Sequence, residues 1–279
     1  MNAPHTAAEI LTIQEKQALL VSALSPILAE DALLWQPEDT IPYECDGLAA
    51  YRKMPLAVAL PETEDQVVRI LKACHAMQIP IVPRGSGTGL SGGAMPIEQG
   101  LVLSLAKFKK ITKIDPFTRT AVVQPGVRNL AISEAVAKHG LYYAPDPSSQ
   151  IACSIGGNVN ENSGGVHCLK YGLTLHNVLR VRSVLMNGNV VEFGGMAPDA
   201  PGLDLLAVLI GSEGMLGIVT EVTVKLVPKP KLARVIMASF NDIEKGGNAV
   251  AAIIAAGIIP AGLEMMDRAT TRAVEEFVH

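Results

Sequence analysis

The sequence predicts an α+β fold with two subdomains, and two observations lead to this prediction. A strand at 57–60, a helix at 64–77 and a second strand at 79–83 follow one another as a strand–helix–strand unit. Farther along the chain, Asn187-Gly188 separates two strand-like segments, which is the strongest short-range indication of a β-hairpin. We therefore expect an N-terminal subdomain of mixed strands and helices, and a C-terminal subdomain that is largely antiparallel.

The first 54 residues precede this alternation and are expected to form a helical segment and a connector. Apolar residues recur near helical spacing from 7 to 32, with an interruption at Pro26. Residues 35–51 contain proline and glycine and form the expected connector. The alternation begins after them, where Thr63-x-x-Gln66 is a capping box that starts the next helix.

Further strands and two helices complete the predicted domain. Asn129 is expected to cap a helix that runs through Lys138 and ends at Gly140. By contrast, 145–172 is predicted to be a long glycine- and asparagine-rich stretch without regular structure. The other predicted elements are strands at 101–105, 111–114, 120–124, 180–186 and 190–193, and a short helix at 202–210.

The strand predicted at 219–227 is the last element of this domain. Its apolar and polar residues alternate, so one set should point inward and the other outward: Val222, Val224 and Leu226 inward, Thr223 and Lys225 outward. Prolines at 228 and 230 mark a boundary, after which a strand at 235–240 and a helix at 244–256 would open another unit. The expected division is 1–54, a main domain at 55–230 with subdomains at about 55–115 and 116–230, and an incomplete domain at 231–279.

Length and composition exclude several classes of protein. The 279 residues are 49% hydrophobic and carry a formal net charge of −4, whereas a nucleic-acid partner demands a basic surface. The longest apolar run, 249–259, is too short to span a bilayer. The cysteines are scattered, with no C-x-x-C pair, no metal-site spacing and no signal peptide, which predicts reduced thiols in a cytoplasmic chain: Cys45, Cys74, Cys153 and Cys168.

The most informative stretch is 83–94, which follows the short apolar run 79–82. It holds five glycines, three hydroxyl residues and a single charge, Arg84. Glycine loses more entropy on ordering than any other residue, so such a loop suits a backbone that approaches a ligand closely. Successive N–H groups flanked by small side chains form an anion-binding concavity. A mobile glycine loop without a ligand is the alternative.

The spacing of residues in this loop excludes two common kinds of phosphate-binding site. Gly87-x-Gly89-x-x-Gly92 matches the dinucleotide fingerprint, but that fingerprint continues into a helix, and here a strand-like segment follows instead. A P-loop is excluded because no Gly-Lys-Ser/Thr ends the loop. What remains is a phosphate cradle between two strands.

Two later stretches add small hydrogen-bonding groups with little charge. Residues 145–165 form a run that is unusually long to lack regular structure inside a compact domain, unless it binds something. Residues 211–219 again present glycines just before a strand. Such groups suit the carbonyls, ring nitrogens and hydroxyls of a flat cofactor better than they suit a metal.

Three motifs in this order resemble those of the FAD-linked oxidases of the vanillyl-alcohol oxidase/p-cresol methylhydroxylase type. They are the glycine loop from Arg84 to Gly93, then Ile155-Gly156-Gly157-Asn158, then Gly211-Ser212-Glu213-Gly214. Within that family, three further segments resemble the FAD-binding subunits of the glycolate oxidase type: 43–47, 144–150 and 263–267. The resemblance covers the chain from about residue 35 onward.

The resemblance implies the two-subdomain FAD-binding fold of the p-cresol methylhydroxylase type, followed by the start of a truncated α+β substrate domain. The first loop would hold the FAD pyrophosphate, the second stretch would line the ribityl chain and the isoalloxazine ring, and the third would close the site. Binding would be non-covalent, because Ser86 occupies the region where some relatives tether FAD through histidine. Met215 stands where a threonine is expected. The implied cofactor-binding residues are Arg84, Gly85, Ser86, Gly87, Thr88, Gly89, Leu90, Ser91, Pro147, Ser148, Ser154, Gly156, Gly157, Asn158, Asn162, Gly164, Gly165, Glu213, Gly217, Ile218 and Val219.

The resemblance also implies a reaction. FAD would take a hydride from a 2-hydroxy acid such as glycolate or D-lactate, and electrons would pass to partner subunits, one of them an iron–sulfur protein, or to a quinone. The family's substrate and metal ligands would lie beyond His279, so this chain would hold no metal and would be inactive alone. It would be cytoplasmic, with peripheral attachment to the inner membrane through its partners. The alternatives are a D-lactate or D-2-hydroxyglutarate dehydrogenase, and an FAD-binding module without turnover.

His167 is the local candidate for a catalytic or flavin-tuning role, because it lies beside the second stretch. A purely structural role is the alternative. Structural roles are also expected for its polar neighbours, as packing or turn residues: Cys153, Cys168, Glu213 and Asp146.

Overall fold

A computed structural model describes residues 12–197 and 202–278 of the chain. Helix α1 (Ile13–Leu24) begins at Thr12, whose side chain accepts a hydrogen bond from the N–H of Glu15, while the Glu15 carboxylate bonds back to Thr12. This capping box sets the start of the helix, and Pro26 prevents its continuation to 32. Residues 7–11 of the expected helix lie outside the described residues.

The first sheet has four strands in the order β1-β2-β4-β3. Strands β2, β3 and β4 are parallel, and β1 pairs with β2 in the antiparallel sense at one edge. Helix α3 makes the crossover from β2 to β3 and begins at the predicted capping box. The bounds are β1 (Leu33–Leu34), α2 (Pro37–Thr40), β2 (Ala57–Ala59), α3 (Glu64–Ala76), β3 (Ile81–Arg84) and β4 (Leu101–Ser104).

The core of this sheet forms between the strands and the helices α1 and α3. Leu20 and Leu24 of α1 meet Ile70 and Leu71 of α3, and all four side chains are completely buried. The central strand β4 contributes Leu101 and Leu103 to the same core. The strand–helix–strand unit predicted from the sequence is therefore present, and its second strand ends at the glycine loop.

The second sheet has five strands in the order β5-β6-β10-β8-β9, and every neighbouring pair is antiparallel. The predicted hairpin joins β8 to β9, and Gly188 adopts φ +82° in its turn. The bounds of the elements from this half are β5 (Ile111–Asp115), β6 (Thr120–Val123), α4 (Asn129–Val136), β7 (Leu141–Tyr142), α5 (Ile155–Glu161), α6 (Cys168–Tyr171), α7 (Thr174–Asn177), β8 (Val178–Val184), β9 (Val190–Gly194), α8 (Leu205–Leu209), β10 (Ile218–Lys225) and β11 (Val227–Pro228).

Both faces of β10 are covered, which corrects one prediction. Val222 and Val224 are buried as expected, but Thr223, which was expected to point outward, is only 1% exposed. The sheet packs on α4 and α5 on one face and approaches α3 on the other, where Thr220 donates a hydrogen bond to Glu64. Lys225, however, is exposed as predicted, so the second face of β10 is covered at Thr220 and Thr223 and solvated at the end of the strand.

The stretch at 145–172 contains helices α5 and α6, so the prediction that it lacks regular structure is wrong. Glycines at 156 and 157 concealed α5 because glycine is a poor helix former. A Cβ added at Gly156 would stand 2.6 Å from Cβ of Pro125, so this glycine permits close packing of the helix. One helix cap is also corrected: Arg128 is the N-cap of α4, and Asn129 is its first helical residue.

The C-terminal segment has helices α9 (Ile243–Ala255) and α10 (Arg268–Val278), but no strand at 235–240. Val235, Ile236 and Met237 are each more than 90% exposed. A strand needs a neighbour for its backbone hydrogen bonds, and none of the described residues pairs with this segment. In the parts of the chain that the structure describes, no helix has both the length and the apolar composition needed to cross a membrane.

A partly exposed ion pair joins helix α3 to strand β8, and it leads to a prediction about stability. Arg182 of β8 donates two hydrogen bonds of 2.8 and 2.9 Å to the Glu64 carboxylate on α3. These bonds hold the pKa of Glu64 below its ordinary value, against the opposing effect of burial. We expect Glu64→Gln to lower the free energy of unfolding by about 1 kcal/mol at pH 7, because the pair is partly solvated.

The pH dependence follows from the direction of this shift. The contribution is present above the unfolded pKa of about 4.3 and is lost as pH falls through the lower folded value. Urea unfolding at pH 7 and at pH 3 measures both effects. Glu62→Gln is the matched control, because Glu62 lies two residues earlier and its carboxylate accepts a hydrogen bond from Lys107 at the surface. An equal loss from both variants at pH 7, or a loss that persists at pH 3, would contradict this account.

Candidate functional site

The glycine loop, residues 85–93, begins where the parallel strand β3 ends. None of its nine amide groups donates a hydrogen bond to another residue within 12–197 or 202–278. The amide just before it, that of Arg84, lies in the β3–β4 ladder. Backbone N–H groups need partners, so these nine amides must be satisfied by water or by a ligand. A row of unpaired donors is what an anion-binding loop requires.

Arg84 holds this loop from the inside. Its side chain is 9% exposed, and Nη1 donates to the carbonyl oxygens of Cys45 at 2.7 Å and Ala94 at 3.4 Å. The guanidinium also lies under Gly87, where an added Cβ would stand 2.4 Å from Nη2 and where φ is +68°. Burial lowers the pKa of Arg84, and the charge of Asp46 opposes this effect. The side chain thus joins both ends of the loop, and its predicted contact with a cofactor stays a prediction.

The loop packs directly on the first turn of α5. A Cβ added at Gly85 would stand 2.3 Å from Oγ of Ser154, the N-cap of that helix. The first amides of α5 are already engaged: Ile155 donates to Val127 and Gly156 donates to Pro125, both at 2.8 Å. The first and second glycine stretches are therefore neighbours, and the first amides of α5, unlike those of 85–93, already have partners within the protein.

Two asparagines of the second stretch have structural partners. Asn158 is buried and donates through Nδ2 to Oδ1 of Asn129, which donates in turn to the carbonyl of Pro145. Asn162 ends α5 with φ +50°, and its Oδ1 accepts a hydrogen bond from the N–H of Leu175. These bonds fix the loop around α5. Asn129 is a site-supporting residue that the sequence analysis treated only as a helix cap.

His167 is held by Asp146 through two contacts. One carboxylate oxygen accepts a 3.1 Å hydrogen bond from the His167 N–H, and the other lies 2.7 Å from Nδ1. Nδ1 is buried, so the 37% exposure of the side chain comes from the rest of the ring, which includes Nε2. Asp146 was predicted to form a turn, and its role in positioning His167 was missed.

Two glycines keep the backbone close around this pair. A Cβ added at Gly165 would stand 2.2 Å from the carbonyl oxygen of Asp146, and one added at Gly164 would stand 2.7 Å from Sγ of Cys168. The C-terminal segment also arrives here, because a Cβ added at Gly262 would stand 2.4 Å from Cγ1 of Val166. His167 therefore lies beside the contact between the two parts of the chain.

The third stretch closes on the first two. Glu213 has φ +52°, and its N–H donates to the carbonyl of Asn160 on α5. A Cβ added at Gly214 would stand 2.3 Å from Pro83, at the end of β3. Ile218 and Val219 belong to the hydrophobic core, so any contact that they make with a ligand comes from their backbone. The structure thus brings all three predicted stretches together.

Three carboxyl groups lie near this junction. A Cβ added at Gly93 would stand 2.7 Å from Oε1 of Glu161 and 3.5 Å from Oε2 of Glu213. Burial raises the pKa of Glu161, and the charges of Glu213 and Asp46 raise it further. The sequence analysis named Glu213 but missed Glu161 and Asp46, whose importance depends on contacts between distant segments.

The residues at this junction fit FAD better than a metal. Nine unpaired amides can bind phosphate oxygens, and Oδ1 of Asn160 and Oδ2 of Asp46 are buried without a hydrogen-bond partner among the described residues. Within the same residues, no group of three histidine, cysteine, aspartate or glutamate side chains could hold a metal ion. At Gly89 and Gly92 an added Cβ would have no protein atom within 3.5 Å, so a ligand can approach the backbone of the loop there.

Comparisons with known proteins agree with this geometry. Residues 55–194 match the family described as the FAD binding domain, and residues 229–279 match the C-terminal domain of FAD linked oxidases. The structure of p-cresol methylhydroxylase with substrate bound superposes with a TM-score of 0.71 at 25% identity, over 86% of this chain and 49% of that chain. The predicted α+β fold class is confirmed.

Two relatives are informative about the whole protein. The chain is 62% identical over 247 residues to glycolate oxidase subunit GlcD of Escherichia coli, covering 88% of this chain and 50% of that protein. It is 37% identical over 219 residues to a D-lactate dehydrogenase of Archaeoglobus fulgidus, covering 78% of this chain and 48% of that protein. The chain thus spans about half the length of these relatives. With FAD as its cofactor, the chain belongs to the family of FAD-linked oxidases.

Proposed function

We propose that this chain is the FAD-binding part of an enzyme that oxidises a 2-hydroxy acid, glycolate or D-lactate, to the 2-oxo acid. The observation that carries the proposal is the row of nine unpaired amides at 85–93, packed against the second and third glycine stretches. The substrate class is taken from the 62% identical glycolate oxidase subunit. FAD, when bound, supplies the acceptor for the hydride that leaves the substrate α-carbon.

The proposed binding mode uses backbone more than side chains. The amides of 85–93 would bind the pyrophosphate, while Arg84 holds the loop open beneath them. Residues 147–165 would line the ribityl chain and the ring, and 213–219 would close the site. FAD would be held without a covalent bond, because Ser86 stands in the region where some members of the family have the histidine that is bonded to FAD. The residues implied by the resemblance remain the proposed cofactor-binding set.

The proposed division of the chain places the cofactor between two subdomains. Residues 55–115 would form the first and 116–230 the second, after an N-terminal segment at 1–54. Residues 231–279 would belong to a substrate domain. The presence of two separate sheets supports a division of this kind, because β2, β3 and β4 form one sheet and β6, β8, β9 and β10 belong to the other, although β5 already lies in the second sheet.

Electrons from the reduced flavin would pass to partner subunits, one of them an iron–sulfur protein, and on to a quinone. This proposal is supported by the word subunit in the name of the bacterial relative. The protein would be cytoplasmic and would reach the inner membrane only through its partners.

Two alternative functions remain distinct from this proposal. A D-lactate or D-2-hydroxyglutarate dehydrogenase would share the same FAD-binding fold, and the relative from Archaeoglobus fulgidus favours that substrate class. An FAD-binding module without turnover is the second alternative. It is favoured by the exposure of apolar side chains at 235–237, which leaves the C-terminal segment without a packed core of its own.

Spectroscopy separates these possibilities. We expect the purified chain to show a flavin absorption band that acid precipitation releases into solution, because the cofactor is not tethered. We expect glycolate to leave this band unbleached under anaerobic conditions in the 279-residue chain but to bleach it in the full-length protein. Folded protein without flavin would overturn the proposal. Faster bleaching by D-lactate or D-2-hydroxyglutarate would favour the first alternative.

The contact between the glycine loop and α5 gives a second prediction. Gly85→Ala should place its methyl group against Oγ of Ser154, 2.3 Å away, and displace the loop. We expect the dissociation constant for FAD to rise about tenfold, equivalent to 1.4 kcal/mol. Adding Ser154→Ala removes the opposing oxygen and should restore most of the affinity.

Ser154→Ala alone is the control for this pair of variants. It should cost about 1 kcal/mol of stability through loss of the helix cap. Because Ser154 belongs to the proposed cofactor-binding set, the FAD affinity of this single variant is the baseline against which the double variant is compared. Fluorescence titration of apoprotein with FAD measures all four proteins. Wild-type affinity in Gly85→Ala would show that the loop does not approach the cofactor.

His167 is the proposed local proton acceptor, positioned by Asp146. In the full-length protein, His167→Asn should slow the reduction of flavin by glycolate at least about tenfold and leave the FAD dissociation constant unchanged. Asp146→Asn should have a smaller effect, because the amide oxygen can still accept from the His167 backbone. His139→Asn, at an exposed position after α4, is the control. Equal reduction rates in His167→Asn and wild type would assign His167 a structural role.

A further inference from the structure

Glu161 occupies an unusual position opposite the glycine loop. It is the last residue of α5, and its Oε1 would lie 2.7 Å from a Cβ at Gly93 and 4.0 Å from one at Gly89. The carboxyl group therefore borders the loop whose nine amides lack partners. Neither the sequence motifs nor the resemblance assigned this residue a role.

The surroundings of Glu161 disfavour its negative charge. Its side chain makes no hydrogen bond or ion pair with another residue within the described parts of the chain. The charged groups that face it are the carboxylates of Glu213, from the third stretch, and Asp46, from the segment before β2. Asp46 in turn lies near Arg84, whose Nη1 is engaged by two carbonyl groups. Burial and the two neighbouring charges together raise the pKa of Glu161.

An ionised Glu161 would also oppose the function proposed for the loop. A pyrophosphate bound at 85–93 would add negative charge beside three carboxylates, and like charges that lie close together repel. A protonated carboxylic acid removes one of these charges and offers an O–H donor. The side chain can then contribute to binding an anion or a hydroxyl-rich ligand instead of repelling it.

We propose that Glu161 binds FAD as a carboxylic acid, donating a hydrogen bond to an oxygen of the cofactor at the glycine loop, and that its ionisation weakens FAD binding. The proposal rests on the placement of FAD at residues 85–93 that is proposed above. Because a raised pKa keeps the group protonated at lower pH, FAD affinity is greatest there and falls as pH rises through the pKa of Glu161.

To test this, the 279-residue chain is first stripped of flavin. It is then titrated with FAD at several pH values between 5.5 and 8.5, in the presence of EDTA. Flavin fluorescence gives the dissociation constant for wild type, Glu161→Gln, Glu161→Ala and the control Glu134→Gln, which changes an exposed glutamate on α4. We expect the wild-type dissociation constant to rise about tenfold with pH, the change that loss of one such hydrogen bond produces. The control should follow the wild type.

The two Glu161 variants distinguish hydrogen-bond donation to FAD from electrostatic repulsion of FAD by the carboxylate. Both lack the titrating group, so both should lose the pH dependence. The Gln amide can still donate, so Glu161→Gln should bind FAD about as tightly as wild type at low pH. The side chain of Glu161→Ala cannot donate a hydrogen bond, so this variant should bind FAD about tenfold more weakly than Glu161→Gln. Circular dichroism checks that each apoprotein is folded.

Three results would overturn the proposal. Equal tightening by Gln and Ala would mean that Glu161 acts only by repulsion. A pH dependence that persists in Glu161→Gln would assign the titration to another group. Loss of FAD affinity in EDTA would point to a bound cation. If Glu161 variants fail these expectations but Gly85→Ala still weakens FAD, the loop remains the cofactor site; if neither has an effect, the proposed placement of FAD fails as well.

Discussion

The structure around the site depends on keeping nine consecutive backbone amides unpaired at the end of β3. Unpaired amides are costly inside a folded chain, so the surrounding contacts must prevent the loop from collapsing onto its own carbonyls. Arg84 does this from below, because its Nη1 donates to the carbonyl of Ala94, which follows the loop, and to that of Cys45 in the preceding connector. Ser154, at the start of α5, packs against Gly85, and Gly214 packs against Pro83, which lies just before the loop. The loop is therefore built by its neighbours, and its own residues are small because so little space remains.

The order of elements was predictable where the information is local. The capping box at Thr63 and the Asn187-Gly188 turn each contain their own geometric requirement, and both occur in the structure. Helix α5 was missed because glycine disfavours helix in isolation, whereas here Gly156 is required by the proximity of Pro125. The strand expected at 235–240 has a strand-like composition, but composition cannot supply the neighbour that a strand needs.

The candidate site was predictable to the extent that glycine marks close approach. Gly85, Gly165 and Gly214 all stand where a side chain would collide with another segment, and all three were found in the sequence motifs. Asn129, Asp46 and Glu161 carry no such mark. Each acts on a segment distant in sequence, so its role becomes visible only when the fold brings α4, α5 and the connector together. Arg84 has a structural role that the motif did not show, because its Nη1 donates to the carbonyls of Cys45 and Ala94, while its contact with the cofactor stays a prediction.

The carboxyl groups beside the loop suggest why the anion site does not rely on lysine or arginine. Neutral amides bind phosphate oxygens without adding full charges to a site that must also accept a flavin, whose reactivity depends on the local field. Asp46 lies near the Arg84 guanidinium, but the charged groups that act on Glu161 are the carboxylates of Glu213 and Asp46. Among these three groups, burial and the two neighbouring charges raise the pKa of Glu161. The carboxylic acid proposed for Glu161 would lower the negative charge beside the loop and would add a donor to a site made of donors.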